Sequence, residues 1–163
     1  MSFIADFCDY LITSPLSVYL QQAEPLIPAL QTMHILAISV LLSAMGMVSL
    51  RLLGWISTDQ PVAVVTKRFY PAAWLALIVL LTTGAVLILL EPARSLMNSI
   101  FQLKMLMLAV VTGCSLALQR LMKIHASQWT EGICPPKKYR VVAAIAMIIW
   151  FGIVFAGRWI AYV

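Results

Sequence analysis

The fold class predicted is an all-α membrane protein: four transmembrane helices in a bundle, preceded by one or two short interfacial helices. Three observations predict it. Hydrophobic residues make up 63 % of the 163-residue chain and charged residues only 10 %, against about 25 % charged in ordinary soluble domains. Four apolar stretches each approach the ~20 residues that cross ~30 Å of hydrocarbon. None of the four alternates polar with apolar residues, and a lone segment in lipid must satisfy its own backbone, so each is expected to be a helix. The chain divides into an N-terminal interfacial segment, 1–27, and a four-helix transmembrane domain, 28–163.

Each element has its own justification. In the N-terminal segment Phe3, Phe7, Tyr10 and Leu11 recur at helical spacing, with Asp6 and Asp9 off that face. This is the pattern of a helix lying on the membrane surface. Asp6 and Asp9 also stand where a cleavable signal needs positive charge, so none is expected. Ser14-Pro15 reads as an N-cap followed by proline at the first helical position. Span one is placed at about 28–52, after Pro25 and Pro28. Span two is placed at 71–91, opened by Pro71 and closed by Glu91. Span three, 99–120, is apolar except for Lys104 near its start, and span four, 140–163, is interrupted only by Arg158. Each span holds a glycine (Gly46, Gly84, Gly113, Gly152). Glycine can bring helices close together in lipid or leave room for a flat cofactor, which makes Gly84 and Gly152, in the outer halves of their spans, candidate cofactor contacts.

The net charge of +5 follows membrane logic and implies no nucleic-acid partner. Arg51, Lys67, Arg68, Arg120, Lys123, Lys137, Lys138 and Arg140 all fall in the two connections on one side. That side is expected to be cytoplasmic, which puts both termini of this multi-pass chain outside. Trp55, Phe69, Tyr70 and Trp74 read as interfacial anchors on the inner side, with Trp159 and Tyr162 on the outer.

Helical rise puts His34 roughly 6–9 Å inside the outer boundary. Lys104 and Arg158 come to the same depth from spans three and four, with Glu91 just above and Ser39 about a turn below. Ionisable groups at this depth are costly, and they mark sites by default. The layer therefore reads either as snorkelling side chains or as a pocket for an anionic or metal-bearing ligand, with His34 as donor or metal ligand and Lys104 and Arg158 as counter-ions. His125 lies roughly 25 Å away by the same count, which excludes a haem ligated by both histidines of one chain. The three cysteines, Cys8, Cys114 and Cys134, have no metal or disulfide spacing. The nine methionines offer thioethers suited to Cu(I), but the pairs in "MGM" and "MLM" point apart on a helix. Apart from Glu91 at a span end, no carboxylate is expected within the membrane, which argues against a proton-driven transporter.

At "QTMHILAISVLLSAMGMVSLRLLGW" and "NSIFQLKMLMLAVV" the chain resembles small bacterial inner-membrane proteins of the CopD-like, copper-resistance type. His34, Arg51-Leu52-Leu53, Phe101 and Lys104 carry the likeness over spans one to three. The resemblance implies a bacterial inner (cytoplasmic) membrane and redox or copper biology. It would also place a second histidine near the end of span three, where Gln119 stands instead. Three functions follow as expectations. The first is a b-type haem protein for electron transfer, served by His34, Gly84, Gly152, Lys104 and Arg158, with a quinone or another redox partner. The second is copper handling at His34, and the third is a structural or accessory subunit whose polar layer binds lipid. Four spans make a thin bundle, so a homo-oligomer, dimer or trimer, is expected in each case.

Overall fold

A computed structural model of the chain describes residues 10–21, 25–90, 92, 96, 98–124 and 135–159. Phe3, Phe7, Asp6, Asp9, Glu91, His125 and Tyr162 lie outside them. Among the described residues there are helices and no strand. After a helical stretch at residues 10–12 come α1 (Pro15–Gln21), α2 (Leu26–Leu53), α3 (Val62–Leu90), α4 (Ser99–Ile124) and α5 (Lys137–Trp159). Helices α2 to α5 are each long and apolar enough to cross a membrane, and the protein is an all-α membrane bundle.

The helix ends show why the boundaries fall where they do. The Ser17 backbone N–H donates to Ser14 Oγ at 3.3 Å, so Ser14 caps α1 and Pro15 opens it. Asn98 caps α4, its Oδ1 accepting from the Ile100 N–H at 2.8 Å. Helix α2 ends on Gly54 in the left-handed region, φ 80°. The Gly54 N–H donates to the Arg51 carbonyl and the Trp55 N–H to that of Leu50, the pairing of a Schellman motif, and glycine is the residue that adopts this φ without a Cβ clash.

Helix α3 departs from the expectation: it begins at Val62 rather than at Pro71, and Pro71 sits inside it. A proline in a helix interior removes one i→i−4 bond, here to the Lys67 carbonyl. Pro71 and Lys67 are both exposed, so that carbonyl can turn to water or headgroups at the end of the bundle. The residues before Pro71 are meanwhile held by burial of Val62, Val65 and Tyr70. Tyr70 is therefore no interfacial anchor. It is 4 % exposed, and its hydroxyl donates to the Ser115 carbonyl at 3.4 Å. Trp55, 70 % exposed, keeps the anchoring position.

The core lies along one stripe of each helix, with Leu41 and Val48, Ala73 and Leu77, Val111, and Ala143 and Trp150 in contact. Small residues do set the helix approach, as packing in lipid favours, but they are alanines: Ala44, Ala73, Ala76, Ala143 and Ala146 are buried. Gly46 and Gly113 would meet nothing within 4 Å if given a Cβ. The outward faces carry Ile35, Leu36, Leu75, Ile78, Leu106, Ile148 and Phe155.

The packing is uneven. Helices α2 and α3 form the tightest pair, α4 packs on α5, and α5 also lies against α2. Helices α3 and α4, neighbours in sequence, touch at few points, so a cleft remains between them. Helix α1 lies over the far end of α3. Ser17, fully buried, donates its hydroxyl to the Leu89 carbonyl at 2.8 Å, and Gln21 Nε2 reaches the Leu90 carbonyl at 3.3 Å. These are among the last carbonyls of α3, which have no partner within their own helix, so the N-terminal segment acts as its C-terminal cap.

Candidate functional site

Because the four spans alternate in direction, the start of α2, the end of α3, the start of α4 and the end of α5 share one end of the bundle. His34, Gly84, Lys104 and Arg158 all lie there. His34, Lys104 and Arg158 line one cavity of about 420 Å³, walled by apolar residues such as Leu41, Leu80 and Trp150. A second cavity, of about 430 Å³, opens into the α3–α4 cleft and again includes His34 and Lys104, now with Gly84, Phe101 and Met105. The imidazole and the ammonium thus stand between two spaces, and both volumes fall within the ~300–1,000 Å³ usual for ligand pockets. Arg158 is exposed and borders the first space alone.

The imidazole is held from one side. His34 Nδ1 lies 2.8 Å from Thr83 Oγ1. The Thr83 hydroxyl directs its own hydrogen to the Val79 carbonyl at 2.7 Å, which leaves an oxygen lone pair for the ring. With that hydrogen on Val79, Thr83 accepts from the Nδ1–H tautomer of His34, the one in which Nε2 is the acceptor nitrogen. The ring is seated against bare backbone: a Cβ on Gly84 would come within 3.3 Å of His34 Cε1. The room at Gly84 is thus used first by the histidine itself.

Lys104 has a matching seat. A Cβ on Gly157 would lie 3.5 Å from Lys104 Nζ, so the ammonium lies against α5 one residue before Arg158. Gly152 is used differently, since its missing side chain makes room for Met107, whose Cε would lie 2.8 Å from an added Cβ. It lines neither cavity that contains His34. Sequence reasoning missed Thr83 and Gly157. Thr83 could have been found by extending the depth count to hydroxyls, since it reaches the His34 layer from α3. Gly157 adjoins Arg158 in "AGRW", but nothing in the sequence points it at Lys104.

The donor set favours some ligands over others. Among the described residues no group of three or more His, Cys, Asp or Glu side chains could hold a metal ion. Met33, beside His34 in sequence, is 51 % exposed on the outer face, while Met105 shares the cleft with His34. At the opposite end Gln119 accepts a hydrogen bond from Trp74 Nε1 at 3.1 Å. Arg51, 1 % exposed, donates from Nε and Nη2 to the Gln60 carbonyl at 2.9 and 2.7 Å, which ties the α2–α3 connection to the end of α2.

Compared with known proteins, residues 18–163 match the model of a family of unknown function, DUF6644. No curated protein and no solved structure matches the chain.

Proposed function

The chain belongs to the DUF6644 family, whose function is unknown, and on that premise we propose that it is a b-type haem protein of the bacterial inner membrane that transfers electrons. One observation carries the reading: His34 is tied through Nδ1 to Thr83 and lines one cavity together with Lys104 and Arg158. Metal-ligating histidines are ordinarily held in this way, through the second ring nitrogen by a protein acceptor. Haem would bring one-electron chemistry, and His34 is the residue that would hold its iron. Lys104 and Arg158 supply positive charge for two propionates, and Leu41, Leu80 and Trp150 supply the apolar walls. Gly84 contributes indirectly by letting the imidazole approach α3, and Gly152 drops out of the site. A quinone or protein redox partner would exchange electrons at this end of the bundle, which lies outside if the basic end is cytoplasmic. Oligomerisation into a dimer or trimer belongs to the same reading.

Copper handling fits these residues less well. Lys104 borders both cavities that His34 borders and would repel a cation, and Met105 supplies one thioether where Cu(I) prefers several soft donors. The test is the optical spectrum of purified protein after haem supplementation, oxidised and reduced. A Soret band that is lost in His34→Ala supports haem. Absence of the band in both redox states refutes it, and metal analysis after Cu(I) loading then tests copper. Unchanged spectra and metal content in His34→Ala would leave the accessory-subunit reading.

A further inference from the structure

The α3–α4 cleft has a second widening at the basic end, about 480 Å³, lined by residues that include Thr66, Lys67, Trp74, Gln119, Met122 and Lys123. We propose that this widening binds the phosphodiester headgroup of an anionic phospholipid, held between a lysine of α3 and a lysine of α4. The chemistry of the lining selects the ligand. Two lysines face the space, one from each helix, and among the described residues the lining contains no Asp or Glu. The Gln119 carboxamide oxygen is taken by Trp74 Nε1, so what Gln119 has left to offer is its NH₂ group, a donor. The Thr66 hydroxyl gives its hydrogen to the Ala63 carbonyl. The space is thus rich in cationic and amide donors, which match phosphate oxygens.

Location selects a lipid over a free ion. The walls include Ala63, Pro71 and Met122, apolar surface suited to glycerol and the first acyl carbons. The cleft is open along its side because α3 and α4 touch at few points. Basic pockets between transmembrane helices are recognised acceptors of anionic headgroups, and each lysine near the surface contributes about fivefold in affinity. The bridging role follows from position: a phosphate held by Lys67 and Lys123 would add a further tie between α3 and α4 beside the Tyr70–Ser115 and Trp74–Gln119 hydrogen bonds. None of this depends on haem.

The experiment uses the full chain in nanodiscs of phosphatidylcholine, with and without phosphatidylglycerol, reading thermal unfolding and lipid retention by native mass spectrometry. Phosphatidylglycerol should raise the unfolding temperature and be retained in preference to phosphatidylcholine. The preference should fall by about twenty-five-fold in a Lys67→Gln/Lys123→Gln variant, two lysines at about fivefold each. It should persist in Lys137→Gln/Lys138→Gln, which alters the same end outside the cleft. The phosphatidylglycerol-induced shift is compared within each variant, so a lower starting stability does not obscure it. Equal loss in both double variants would reduce the effect to general surface charge and overturn the proposal. So would full reproduction of the shift by inorganic phosphate, or no preference between the two lipids.

Discussion

The two ends of the bundle share one cleft but differ in how their polar groups are satisfied. At the basic end most polarity closes on itself. The Arg51 guanidinium is spent on the Gln60 carbonyl, the Tyr70 hydroxyl on Ser115 and the Gln119 oxygen on Trp74. The two lysines that line its cavity, Lys67 and Lys123, are exposed on the rim. At the histidine end the pattern is half open: Thr83 takes one ring nitrogen of His34, and the other stays beside space shared with Lys104. A buried polar group that has a partner needs no ligand to account for it. One that is positioned on one side and borders a cavity on the other is the group on which the haem proposal rests. The contrast lies in how polar groups are satisfied and not in cavity volume, since the volumes at the two ends are similar.

Three substitutions would break or sharpen that contrast. The largest effect is expected at the basic end. Arg51→Ala removes a fully buried side chain and its two charge-assisted bonds, which should cost about 2–3 kcal/mol of stability. The measurement is reversible denaturant unfolding in mixed micelles, with haem content of the folded fraction unchanged. A loss of haem without a loss of stability would blur the two ends. Next comes Thr83→Val at the other end. It keeps the side-chain shape but frees His34 Nδ1, and changes to such supporting groups typically weaken metal affinity by about tenfold or more. Haem titration should show that weakening, Thr83→Ser should restore the affinity, and unfolding should move by only about 1 kcal/mol. The smallest effect belongs to Gly152→Ala. The added methyl displaces the flexible end of Met107, so about 1 kcal/mol or less is expected, with the spectrum unaltered. A spectral change would return Gly152 to the site.

How much of this was legible in sequence depended on whether the signal was local. The four spans were, because sustained hydropathy needs no partner to interpret. The cap at Ser14 was too. The shared depth of His34, Lys104 and Arg158 followed from helical rise alone, and the structure brings the three to one cavity. The start of α3 was not legible: proline's preference for a first turn pointed to Pro71, while the burial that carries the helix back to Val62 is tertiary. The glycines misled in a related way. Glycine permits close approach without saying what approaches: beside Gly84 it is a histidine and beside Gly152 a methionine, while buried alanines line the helix contacts. The α3–α4 cleft had no signature, because a helix face that lines a cleft and one that meets lipid are both simply apolar.

The most direct measurement is the reduced-minus-oxidised spectrum of wild type beside His34→Ala, each purified after identical haem supplementation. The account predicts a Soret band and a redox-sensitive visible spectrum in wild type, both abolished in the variant while its helical content and thermal unfolding hold. Identical spectra in the two proteins, whether both haem-loaded or both blank, would contradict it.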